Sequence, residues 1–379
     1  MRFLHTSDLH LGKQLNNVSL LKDQEHILAQ IVSIAQEEKV DAVLIAGDIY
    51  QRAAPQAEAM ALFDRFATAL TDAGIKVLAI SGNHDSQQRI QYFSGLVQKA
   101  GLYIAGDFTG SIQKVELYDE HGAVALYLLP FVKAGQVRRF LGEESGIATC
   151  QDAIAALLSA IDLDPCARNL LLCHQFVTGA ERSESEENSV GGLDSVDYRV
   201  FDAFDYVALG HIHKPQRMGR EGVRYAGSPL KYSFSECDHE KSVLLVNVGA
   251  EKALSVRPIP LKPLHDMKKI RGTIGEIMAM DYSEDYVWVM VTDENVPPDT
   301  RSRLLAGVFP NMMHFSVDNS GTRFDMDILS GQRIEDKTPI QLFREFYMDR
   351  HGGREPDADR IRLVEGILKE MEADNREER

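Results

Sequence analysis

Six short apolar runs constrain the fold of this 379-residue chain more than any other feature. They span residues 2–6, 42–45, 77–80, 125–129, 170–173 and 206–209 and are rich in Val, Ile and Leu. Continuous runs of that length suit strands covered on both faces. Between the first two, Leu20, Gln24, Ile27, Leu28, Ile31 and Ile34 recur at helical spacing. A second helix is expected from about Pro55 through Met60, Phe63, Phe66 and Leu70, stopping at Gly74. Strands separated by helices of this length predict an α/β core. Residues 223–226 and 242–248 read as strands without intervening helices, so the later part of the core is expected to be antiparallel or mixed.

The chain is longer than one hydrophobic core usually organises, so smaller units are expected after the first. Pro258, Pro260 and Pro263 interrupt residues 257–263, which read as a linker. The expected division is a catalytic domain at 1–261, a compact α+β unit at 262–338 and a helical segment at 339–379. In the last, Leu342, Phe343, Phe346 and Tyr347 form one apolar stripe, and Ile361, Val364, Ile367, Leu368 and Met371 another. No segment has the length of a membrane span, and the N-terminus enters a strand without a basic-then-apolar leader, so a cytoplasmic protein is expected. Cys150, Cys166, Cys173 and Cys237 have no framework spacing and read as reduced thiols. A formal charge of −16 argues against a generic nucleic-acid coat and leaves room for a local basic surface.

Five clusters carry the chemistry: Asp8-Leu9-His10, Gly47-Asp48, Gly82-Asn83-His84-Asp85, His174, and Gly210-His211-Ile212-His213. Each follows one of the apolar runs, and in open α/β sheets the crevice beyond the strand carboxyl ends is where ligands bind. Asp, His and Asn form an oxygen and nitrogen donor set suited to Mn²⁺, Fe or Zn²⁺. A carboxylate shared between two ions about 3.5–4 Å apart suits in-line displacement at phosphorus. Any one cluster alone reads as a turn or a helix cap. All of them in this order at strand ends point to a dinuclear site.

The series DxH, GD, GNHD, H, GHxH resembles the calcineurin-like metallophosphoesterase superfamily over residues 1–261. Within it the chain is similar to the SbcD nuclease subunits. That likeness rests on residues 5–12 (HTSDLHLG), 47–50 (GDIY) and 174–176 (HQF) with the acidic loop ending at Gly191-Gly192. It rests also on 227–230 (GSPL) and 233–236 (SFSE). The resemblance implies mixed β-sheets packed face to face and flanked by helices, with a capping domain and a C-terminal helical segment. It implies Asp8, His10, Asp48 and His213 on one metal, and Asp48, Asn83, His174 and His211 on the other. His84 would touch the scissile phosphate or protonate the leaving oxygen. Asp85 would either orient the His84 ring or cap the helix that follows.

The same resemblance implies a Mn²⁺-dependent DNA nuclease, exonucleolytic on duplex ends and endonucleolytic on single strands and hairpins. It implies homodimerisation through helices after the GNHD motif, where Ile90, Phe93, Leu96 and Val97 form an apolar stripe. It also implies docking of the terminal helices on an SbcC-like coiled-coil ATPase. Two other readings stay open: a phosphoesterase for cyclic nucleotides, nucleotide diphosphates or phosphoproteins, and a scaffold that keeps only the fold. His5 is expected in the core or behind the ligands, and Cys173 in the core. The acidic loop of Glu181, Glu184, Glu186 and Glu187 reads equally as a solvated loop or a border of the site.

Overall fold

Every residue of the strand Ala42–Ala46 is buried, with Ala42 and Leu44 in one apolar cluster and Val43 and Ile45 in another. Side chains that alternate with period two meet two clusters only when both faces of the sheet are covered. The computed structural model, which describes residues 1–92, 94–186, 195–319, 339–350, 355–357, 360–364 and 366, shows how.

Two six-stranded sheets form the core. The first runs in the order Leu254–Pro260, Ser242–Val248, Arg2–Thr6, Ala42–Ala46, Lys76–Ile80, Leu102–Ala105. Its last four strands are mutually parallel; Ser242–Val248 pairs antiparallel with Arg2–Thr6, and Leu254–Pro260 pairs antiparallel with Ser242–Val248. The second runs Gln216–Arg217, Val223–Tyr225, Tyr206–Gly210, Arg168–His174, Gly122–Leu129, Gln113–Asp119, parallel in the middle with antiparallel edges. Phe3, Leu44 and Leu78 of the first sheet meet Leu126, Leu172 and Ala208 of the second in one buried cluster. The helices Leu21–Glu37 and Ala57–Asp72 cover the outer face of the first sheet through Ile27, Ile31, Phe63 and Phe66. Ala134–Leu141 and Cys150–Ser159 cover the second through Val137, Ile154 and Leu157. The layers are therefore helix, sheet, sheet, helix. A capping box fixes the start of Cys150–Ser159, with the Thr149 hydroxyl taking the Asp152 amide.

Residues 257–263 are not a linker throughout. Leu254–Pro260 is an edge strand, paired antiparallel from Val248↔Leu254 to Ser242↔Pro260. An edge strand needs partners on one side only, so prolines that lack an N–H are tolerated there. The stripe after the GNHD motif lies on more than one helix, as expected. It divides between the short helices Gln87–Gln91 and Ser94–Val97, with Ile90 buried and Leu96 62% exposed. The late strands are mixed as expected: Val223–Tyr225 pairs parallel with Tyr206–Gly210, and Ser242–Val248 antiparallel with Arg2–Thr6.

The chain divides into two compact units. One comprises Met1–Lys269, Tyr282–Trp288 and Phe309–His314, and the other comprises Ile270–Asp281, Val289–Val308 and Phe315–Arg379. Late in the chain Met267–Gly272, Tyr286–Val291 and Met312–Val317 form a three-stranded sheet, with helices Ile274–Met278 and Thr300–Gly307. Pro339–Arg350 is a helix in which the Phe343 and Tyr347 rings lie 6.0 Å apart. The side chains of Leu342 and Phe346, and residues Phe93, Glu187, Gly191, Gly192, Ile367, Leu368 and Met371, lie outside the described residues. Among the described residues no helix is long and apolar enough to cross a membrane.

Candidate metal centre

The parallel register brings the carboxyl ends of Arg2–Thr6, Ala42–Ala46 and Lys76–Ile80 level, and those of Arg168–His174 and Tyr206–Gly210 likewise. The chain leaves these ends through unusual backbone. Asp8, His10, Asp48 and His211 have φ of 53°, 45°, 50° and 102°, in the left-handed region. Such a conformation costs a non-glycine residue about 1–2 kcal/mol and persists where surrounding structure holds it. Glycines make the close approaches possible. A Cβ on Gly47 would stand 2.3 Å from His174 Nδ1, and one on Gly82 2.1 Å from Asp48 Oδ1.

All seven expected metal-binding residues converge. His10 Nε2 lies 3.6 Å from Asp48 Oδ2 and 3.1 Å from His213 Nε2. His174 Nε2 lies 3.5 Å from the same carboxylate oxygen, Asp48 Oδ2. Asn83 Oδ1 is 3.0 Å from both His174 Nε2 and His211 Nδ1. Asp8, His10 and His213 offer donor atoms within 4.8 Å of one another, as do Asp8, Asp48 and His174. Those two groups share Asp8; His10, Asp48 and His84 make a third, and Asp48 Oδ2 lies beside both His10 and His174.

The electrostatics of the donors follow from burial around one charged carboxylate. Burial pushes His10 down and His211 down to about 3, which leaves both rings neutral with a lone pair to offer. For Asp48, burial acts upward, but His174, His10 and His84 outweigh it and hold the carboxyl well below its usual range. Burial acts downward on His174, and the Asp48 charge beside it outweighs this to raise it to about 9. Burial raises Asp8, against the pull of His174 and His213. Two imidazole nitrogens 3.1 Å apart and a buried carboxylate between rings form a donor set that divalent cations satisfy.

Residues 1–215 match the family model of the calcineurin-like phosphoesterases. This chain belongs to that family. Residues 263–351 match a second model, described as the type 5 capsule protein repressor C-terminal domain. The chain is 31% identical over 362 residues to the D subunit of the SbcCD nuclease of Staphylococcus epidermidis, across 93% of this chain and 94% of that protein. Within the calcineurin-like family it is therefore a homologue of the SbcD nuclease subunits. Solved structures similar to it include a dimetal phosphatase from Danio rerio at 13% identity, with a TM-score of 0.43 over 70% of this chain and 98% of that one. Another is an NAD nucleotidase from Haemophilus influenzae at 14% identity and a TM-score of 0.34, over 87% of this chain and 66% of that one. Assignment to the calcineurin-like phosphoesterases rests on the sequence matches, not on these scores.

Two residues of the GNHD motif sit differently from expectation. The ring of His84 shares a hydrogen bond at Nδ1 with the Gln51 carbonyl, 3.2 Å away, and no hydrogen bond joins it to Asp85. The Asp85 carboxylate instead accepts the amides of Ile49 at 3.0 Å, Tyr50 at 2.9 Å and Gly82 at 2.9 Å. It makes no side-chain cap on Gln87–Gln91. Asp85 therefore ties the GD loop to the GNHD turn, and a backbone carbonyl orients His84. His84 also lies near His10, with ring centroids 4.8 Å apart.

His5 and Cys173 are fully buried, His5 Nδ1 against the Tyr206 hydroxyl at 2.9 Å. The described part of the acidic loop borders the site: Glu186 Oε1 accepts the His213 amide at 2.7 Å, and the Ser185 hydroxyl lies 2.8 Å from His213 Nδ1. Sequence reasoning did not assign Gln51, Ser185, Glu236 or Lys241 to the site. For Glu236 a signal existed in the SFSE segment and for Ser185 in the acidic loop, since both set SbcD-type chains apart; for Gln51 and Lys241 none did.

Proposed function

We propose that this chain is a metal-dependent DNA nuclease subunit that hydrolyses phosphodiester bonds, with Mn²⁺ as its metal. It acts as an exonuclease on duplex ends and as an endonuclease on single strands and hairpins, in DNA repair, recombination and replication. The observation that carries this reading is the single Asp48 oxygen that lies 3.6 Å from His10 Nε2 and 3.5 Å from His174 Nε2. One metal would be held by Asp8, His10, Asp48 and His213, and the other by Asp48, Asn83, His174 and His211. When bound, two such cations supply Lewis acidity at phosphorus and acidify water at neutral pH. Asn83 contributes a neutral oxygen, which limits negative charge beside an anionic substrate. With Nδ1 on the Gln51 carbonyl, His84 has Nε2 available to contact the scissile phosphate or protonate the leaving oxygen.

The SbcD relationship supports DNA as substrate and an SbcC-like ATPase as partner. So does the C-terminal domain match at residues 263–351, because a small-molecule phosphoesterase has little need of such an extension. Residues 339–379 serve as the docking segment for the ATPase, residues 262–338 contact DNA, and the protein acts as a homodimer in the cytoplasm. A charge of −16 is compatible with a nuclease when the partner supplies much of the DNA-binding surface.

The test is purified protein with Mn²⁺ offered linear duplex DNA, a hairpin, a cyclic nucleotide and an aryl phosphodiester. Cleavage of the DNA substrates is expected. Activity confined to the small molecules would overturn the nuclease assignment.

A further inference from the structure

Glu236 and Lys241 form a fully desolvated ion pair, with Lys241 Nζ 2.5 Å from Glu236 Oε2 and side chains 5% and 0% exposed. A buried pair of this kind is weak evidence for stability, because desolvation offsets most of the attraction. Its placement is more informative. The other carboxylate oxygen, Oε1, lies 3.2 Å from His213 Nδ1 and accepts the Ser185 hydroxyl at 2.5 Å. The Lys241 ammonium donates at 2.8 Å to the His213 carbonyl and at 2.8 Å to the Ser228 hydroxyl. With Glu186 on the His213 amide, this histidine is held at its ring, its N–H and its C=O. The other rings of the centre differ: His174 Nδ1 faces the Ala46 carbonyl, and His10 Nδ1 has no hydrogen-bond partner among the described residues.

We infer that Glu236, fixed in place by Lys241, is a positioning residue that orients the His213 ring and keeps its Nδ1 side occupied. The Ser185 hydroxyl donates to Glu236 Oε1, so a proton on His213 Nδ1 is accepted by Ser185 Oγ at 2.8 Å and shared with Glu236 Oε1 at 3.2 Å; this leaves Nε2 bare, and Nε2 is the atom facing His10 Nε2 at 3.1 Å. A carboxylate on the far nitrogen makes an imidazole a stronger donor, and loss of such an outer partner typically weakens metal binding about 10–100-fold. Lys241 balances the charge of Glu236, so the carboxylate can be buried without adding net charge to the centre. The GSPL and SFSE segments thereby act together, building the support behind one ligand through Ser228 and Glu236. The inference rests on the proposed role of His213 as a ligand.

The test is calorimetric titration of the metal-free protein with Mn²⁺, using the double variant Glu236→Gln/Lys241→Met, which removes both charges together and leaves neither buried alone. Binding to one of two sites is expected to weaken about 10–100-fold, with the other unchanged within about threefold. In a His213→Ala background the double variant should add no further loss, because its effect passes through His213. A purely structural role would give independent losses that multiply. Glu236→Asp, which keeps the ion pair but withdraws the carboxylate from the ring, provides the same measurement if the double variant does not fold. Full affinity in a folded variant would overturn the inference while His213→Ala still binds weakly. If His213→Ala itself binds both ions normally, the ligand assignment and the inference fall together.

Discussion

His174 Nε2 stands 3.5 Å from Asp48 Oδ2, although Asp48 follows a strand of the first sheet and His174 ends a strand of the second. The centre is therefore built across the junction of the two sheets. The His174 ring bridges them a second time, with Nδ1 2.8 Å from the Ala46 carbonyl. Motion of one sheet against the other would change the spacing of the donors, and the cluster of Phe3, Leu44, Leu126 and Leu172 between them opposes it.

His84→Ala is expected to lower DNA cleavage by about 10²–10⁴-fold, the range for loss of a general acid or base. Both metals should remain bound, since the proposed ligand set does not include this ring. Single-turnover cleavage and metal analysis on the same sample check the two statements, and loss of a metal would reassign His84 as a ligand.

Gly47 and Gly74 both have positive φ, 90° and 78°, but only at Gly47 would a Cβ meet another residue, His174. Gly74→Ala should lower stability by about 1–2 kcal/mol through backbone strain alone. Gly47→Ala should do the same and also weaken Mn²⁺ binding by displacing the His174 ring. Urea melts and metal titrations of the two variants side by side check this difference.

Asp119 accepts the Arg168 guanidinium at 2.5 and 2.9 Å and the N-terminal ammonium at 2.9 Å. The Arg168 hydrogen bonds chiefly, with the ammonium, hold its carboxyl below the usual range against burial. A depressed carboxyl stabilises the fold fully above its unfolded pKa of about 4, and the contribution fades as pH falls toward the folded value. Asp119→Asn should therefore cost about 2 kcal/mol at pH 7, as for hydrogen bonds to charged groups. At pH 3 the gap between variant and wild type should be smaller. Denaturant melts at the two pH values measure it, and a gap that widens in acid would contradict the assignment.

Removal of residues 339–379 is expected to leave Mn²⁺-dependent cleavage largely intact and to prevent co-purification with an SbcC-like ATPase. A truncated chain that still co-purifies would move the docking surface elsewhere.

The five clusters were legible because such chemistry needs particular residue types at strand ends, and apolar runs mark the strands. Asp85 was visible as a residue but not in its role, because its partners are the amides of Ile49, Tyr50 and Gly82, and backbone groups leave no trace in sequence. Pro258 and Pro260 were misread as a linker because a proline looks the same on an edge strand as in a loop, and the pairing that decides it lies in Ser242–Val248. Glu236 is one acidic residue among 57, and only folding shows that it faces His213.

In the proposed site, Asp48 serves both metals. Calorimetric titration of metal-free protein with Mn²⁺ tests this most directly. Wild type should bind two equivalents, and Asp48→Asn should weaken both sites by more than the roughly 100-fold that an outer partner produces. A single equivalent in the wild type, or an Asp48→Asn variant that loses only one site, would contradict it.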